Sequence, residues 1–194
     1  MLAPVRVTAP PEAPVSLAQA KAHLRVDHDD DDLYIAALID AAAAHLDGWS
    51  GILGRALVTQ AWRQDYCGFP AGGKLRLPLA PVLSVESIAY RDAAEAVQVL
   101  DADAYSGVLA DGLGPYVRLA HRSWPATERR EDAVSVTFTA GYGGPADVPA
   151  AIRHAMLLLV GHWYDAREAA SGTVMTELPL GVSALLAPYR RISL

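Results

Sequence analysis

The sequence predicts an α+β fold: an N-terminal helical hairpin and a long C-terminal helix, with an antiparallel β insertion between them. Three observations carry this. Ile35, Ile39, Ala42, Leu46 and Trp49 fall at alternating four- and three-residue steps, the seam of a helix packed against another. From Arg55 to Thr139 the apolar period shortens to two, and the breaks between runs are too short for crossover helices, which favours antiparallel pairing. Ala133–Ala169 then reads as an alternating strand, a Gly/Pro turn and a long apolar helix.

Taken in order, residues 1–15 hold Pro4, Pro10, Pro11 and Pro14 and read as an extended arm. Ser16-Leu-Ala-Gln19 is a capping-box pattern that opens a short helix with Leu17, Ala20 and Leu24 inward, ending near Val26. A second helix covers about Asp31 to Trp49, with Gly48 and Gly51 at its end. Strands are expected at Arg55–Tyr66, Lys74–Leu77, Val82–Arg91, Val97–Leu100, Tyr116–Ala120 and Ala133–Thr139. Asp147 is the expected N-cap of the long helix, with Pro149 in its first turn, where a missing amide costs little. Ile152, Met156, Leu159, Val160 and Trp163 share one stripe, and Ala155, Leu157 and Leu158 widen it until little polar face remains. Such a helix needs cover on more than one side, so Met156, Leu157, Leu158 and Trp163 are candidates for a subunit interface. Past a small-residue loop at 170–176, Val182–Ala187 is a short segment that Pro188 stops, and Tyr189–Leu194 is a basic tail. The domain reading is therefore an arm at 1–15, one α+β domain at 16–170 with its β insertion at about 55–140, and a tail at 171–194.

Of the 194 residues, 52% are hydrophobic and 20% charged, ample for a core. The net charge of −6 disfavours tight binding of nucleic acid, which calls for a basic patch. Only Lys21 and Lys74 among the 16 basic residues are lysines; arginine suits interfaces, and GC-rich coding explains the bias equally well. Cys67 is alone, which rules out a disulfide framework within this chain and a cysteine-based zinc site. No run reaches the roughly 18 apolar residues of a membrane span, and no signal-peptide pattern opens the sequence.

The search for chemistry gives little. Gly141-Tyr-Gly143-Gly-Pro-Ala146 fits the loose dinucleotide fingerprint, but no second parallel strand with a ribose-binding acid follows the helix. Asp27, Asp29 and Asp31 alternate as in a calcium loop, yet Asp32 stands where the turn needs glycine and Leu38 where a bidentate glutamate belongs. Acids ahead of a helix that complement its positive end are the simpler reading. Gly48-Trp-Ser50-Gly51 has its second glycine one place too early for a nucleophile elbow. His154 and His162 lie two turns apart on the long helix, without an HExxH pattern. No catalytic residue, cofactor or metal is expected.

Several segments in order resemble the head–tail connector or adaptor proteins of tailed phages, a family also found in gene transfer agents. They are Val15–Asp27, Asp32–Ile39, Gly54–Trp62, Leu77–Val85, Phe138–Gly143, Leu158–Tyr164 and Leu185–Arg190. The stretch Gly107–Asp132 carries little of the pattern. The resemblance implies a structural, non-enzymatic protein, made in the bacterial cytoplasm and built into a particle's neck. It would form a homo-oligomeric ring, a dodecamer, under the portal, extending the DNA channel and docking a stopper or tail-terminator protein.

The family's C-terminal segment commonly reaches toward the portal, which would make Leu185, Leu186, Tyr189, Arg190, Arg191 and Ile192 portal contacts. Like charge keeps passing DNA from sticking, so Asp29, Asp30 and Asp31 are expected to face the channel. The alternatives are a neck stopper or tail-completion protein, or, in a different class, a small hydrolase or ligand-binding domain built on His154, His162 and Asp165.

Overall fold

The computed structural model describes residues 2–109, 114–120, 123–166 and 180–191. It is a mixed helical and antiparallel-sheet protein with two compact units, one made of Met1–Pro10 and Thr59–Tyr142, the other of Pro11–Val58 and Gly143–Leu194.

The first unit is built on two sheets. The larger has strand order β1-β2-β8-β4-β5, with β1 Val5–Thr8, β2 Gln60–Tyr66, β4 Val82–Arg91, β5 Val97–Val99 and β8 Val134–Ala140. The smaller runs β3-β7-β6, with β3 Lys74–Arg76, β6 Tyr105–Val108 and β7 Tyr116–Leu119. Every strand pair is antiparallel. β8 is the central strand because both its faces and both its edges are used. Val134, Val136, Phe138 and Ala140 are buried while Ser135, Thr137 and Thr139 stay half-buried, the two-residue alternation of the sequence. β2 pairs with β8 without a slip, from Gln60 opposite Ala140 to Tyr66 opposite Val134. β1 forms within the N-terminal residues expected as an arm and pairs with β2; Arg6 lies 5.0 Å over the Trp62 ring. Neither β1 nor β6 is among the expected strands: short edge segments gain little from pattern and much from their neighbours.

The second unit is helical. α1 (Leu17–Leu24) opens with the capping box the sequence spells: Ser16 Oγ accepts from the Gln19 amide at 3.2 Å, and Gln19 Oε1 accepts from the Ser16 amide at 3.0 Å. α2 (Asp32–Leu46) buries Ile35, Ile39, Ala42 and Leu46. Its seam stops there: Asp47 is extended and Trp49 is 45% exposed, so the expected extension to Trp49 does not form. The cause is local. The Asp47 carboxylate leaves the helix to accept the Leu57 amide at 2.7 Å, and the Gly48 amide donates to the Arg55 carbonyl at 2.6 Å. These bonds also hold residues 55–57 beside the helix end, so β2 starts at Gln60 rather than at Arg55.

α3 (Ala150–Asp165) follows a 3-10 turn at Pro145–Asp147. Asp147 sits in that turn and accepts the Gly144 amide at 2.8 Å; the N-cap of α3 is Pro149, which corrects the sequence expectation. The physical reason is that two prolines bracket Asp147, and a carboxylate so placed closes the nearer turn first. α4 (Leu180–Leu186) packs on α3 through Val182 and Leu186.

Candidate functional site

Among the described residues no group of three or more His, Cys, Asp or Glu side chains could hold a metal, and no helix is long and apolar enough to cross a membrane. His162 and Asp165 are exposed on the last turns of α3, while His154 meets His23 edge to face at 6.2 Å. The glycine loop before α3 does not cradle a phosphate. The Asp147 carboxylate already takes the Gly144 amide, and a Cβ on Gly143 would meet that carboxylate at 2.3 Å. What the second unit offers instead is a set of surfaces.

The first is the bend between α1 and α2. Lys21 Nζ lies 2.6 Å from an oxygen of Asp29 and 2.6 Å from one of Asp32, with its side chain only 16% exposed. The hydrogen bond to Asp29 holds the lysine above its ordinary pKa, and the lysine holds Asp29 below the ordinary carboxylate value. Lys21 thus joins Asp29 to Asp32 across the bend. Asp29 and Asp30 project into solvent, at 89% and 96% exposure. Asp31 does not: it is half-buried and accepts the hydroxyl of Tyr164, so of the three acids expected on one face it is turned to α3.

The second surface is α3. The chain itself covers Ile152, Ala155, Met156, Leu159 and Val160. Met156, expected at a subunit interface, is fully buried inside its own unit, because the α1, α2 and α4 helices all pack on α3. Leu157, Leu158 and Trp163 remain half-buried, and Trp163 stacks edge to face on His45 at 6.3 Å while its carbonyl accepts the Tyr34 hydroxyl at 3.4 Å. The apolar excess on this helix is smaller than its composition suggests.

The third is the C-terminal segment. Arg55 Nε donates to the Tyr189 carbonyl at 2.6 Å, and the Arg191 amide donates to the Leu53 carbonyl at 3.0 Å. Leu186 is fully buried against its own chain and so is removed from the expected portal contacts; Leu185 and Tyr189 are half-buried and Arg190 is exposed. Ile192 lies outside the described residues. Nothing in the residue pattern marks Arg55 or Asp47, since a single polar bond leaves no period.

Residues 14–96 match the model of the phage gp6-like head–tail connector proteins. The chain resembles the head–tail connectors. The likeness extends over its whole length to solved structures of gene transfer agent particles. A chain from the neck of an empty particle, computed with C6 symmetry, is 26% identical, with a TM-score of 0.79 over 100% of this chain and 97% of that one. A chain from the virion of the native particle matches with the same identity, score and coverage. A chain from the native particle's neck, computed with C12 symmetry, shares the fold at 24% identity and a TM-score of 0.71. No curated protein matches this connector-like chain. Two of these chains come from particle necks and one from the whole virion.

Proposed function

We propose that this chain is a structural head–tail adaptor: copies form a ring, of twelve, under the portal of a phage or gene transfer agent particle. The ring extends the DNA channel and offers its lower face to a stopper or tail-terminator protein. The observation that carries this is the end-to-end likeness to a neck chain, 97% of which is covered. A partial match would have left room for a shared module on an unrelated protein. Computation of the neighbours' necks with C6 and with C12 symmetry accords with twelve copies. Asp29, tied to Lys21 yet 89% exposed, is the acid we assign to a channel through which DNA slides without being held. Arg190, with Leu185 and Tyr189 beside it, is the portal-facing part of the tail.

The test is imaging of purified particle necks together with mass measurement of the chain with and without the portal protein. A ring of this fold directly beneath the portal is the expected result. A chain that binds only the component below, or one absent from the neck, overturns the adaptor reading.

A further inference from the structure

A groove of about 490 Å³ runs between α1 and α3, with Val15 and Leu157 among its apolar walls and His23, Arg153 and His154 among its polar ones. No carboxylate lines it, and the Arg153 guanidinium is its one formal charge. The Arg153 Nε is buried and meets no acceptor among the described residues. Glu12 and Asp40 line a second hollow together with Arg153, and among the described residues no ion pair joins either to it. A buried guanidinium nitrogen without an acceptor is expensive to keep, so an arriving carboxylate would be well placed there.

The same unit carries a complementary shape. Asp30 is 96% exposed, and Leu33, three residues on at the start of α2, is 89% exposed. An acid and a bare leucine three residues apart complement an arginine and a half-buried leucine, Leu157, four apart. The two surfaces also point apart. Lys21, which anchors the acidic bend, and His23, which lines the groove, are two positions apart on α1, roughly 200° around a helix of 3.6 residues per turn. A ring of head-to-tail contacts requires two different patches on each subunit; a self-matching patch would stop at a dimer.

We infer that the α1/α3 groove of each copy seats the Asp30–Leu33 segment of the next copy. Arg153 pairs with the neighbour's Asp30, and Leu157 covers the neighbour's Leu33. This rests on the ring reading and adds to it the contact by which the ring closes.

The experiment uses assembled particle necks carrying Cys67→Ser, which removes the exposed native thiol. Into this background go Asp30→Cys and His154→Cys. Mild oxidation is expected to give a ladder of cross-linked chains up to the closed ring, with neither single substitution giving one. In parallel, Arg153→Glu and Asp30→Arg each reduce incorporation into necks on the order of tenfold or more, and the two together restore it. If the unmodified ring is seen in the neck but the cysteine pair gives no ladder, the groove assignment falls and the adaptor reading stands. If no ring is present in the neck at all, both fall. The cysteine arm leaves Arg153 in place, so a folding defect of Arg153→Glu does not decide the outcome.

Discussion

Asp47 holds the Leu57 amide at 2.7 Å with both residues buried, and this bond, with that of the Gly48 amide to the Arg55 carbonyl, holds the following segment beside the end of α2. Asp47→Ala leaves that buried amide without an acceptor, at a cost of about 1–3 kcal/mol. Asp47→Asn keeps an oxygen and should lose less. Chemical denaturation of both variants, against an Asp30→Ala control expected within about 0.5 kcal/mol of the parent, checks this.

Phe138 sits fully buried on the central strand β8. Phe138→Ala is expected to destabilise by about 3–5 kcal/mol, whereas Thr137→Ala, one residue away on the other face, should cost far less. Equal losses from the two, read by thermal or urea unfolding, would show that the alternation along β8 does not set its packing.

The Ser16 and Gln19 side chains satisfy each other's amides at the start of α1. Ser16→Ala should remove about 1 kcal/mol, and Ser16→Asp should restore most of it, since aspartate caps equally well and favours the helix's positive end. Hydrogen exchange of the α1 amides reports the same change locally.

The Lys21–Asp29 pair predicts the direction of two titrations. Asp29 is held below its ordinary value of 3.8, so its contribution to stability is complete above that value and is lost as pH falls through the depressed one. Lys21 is held above 10.5, so its share is complete below that value and lost as pH rises through the raised one. Carbon-detected NMR titration of Asp29 should give a midpoint under 3.8, returning toward it in Lys21→Met. An Asp29 midpoint at or above the ordinary value contradicts the pairing.

Leu186 and Arg190 separate folding from docking in the C-terminal segment. Leu186→Ala should cost about 2–5 kcal/mol of stability, because the side chain is in the core. Arg190→Ala should leave the melting temperature unchanged and weaken portal binding, measured with purified portal. Unaltered portal affinity in Arg190→Ala would remove the tail from that contact.

Periodic features were readable in the chain alone. The two-residue alternation of β8, the four-and-three stepping of Ile35 to Leu46, and the Ser16–Gln19 box each repeat or pair within a few residues, and local geometry realises them directly. So was the likeness to the connectors, because it rests on ordered segments. The rest was decided by contacts far apart in sequence. Tyr164 claims Asp31 across 133 positions, Arg55 holds Tyr189 across 134, and Met156 disappears beneath three helices that its own segment does not announce. A sequence states which side chains are apolar or charged. Only packing decides which of them are already satisfied within one subunit: Met156 and Leu186 are, whereas Leu33 stays bare and the buried Arg153 Nε meets no acceptor among the described residues.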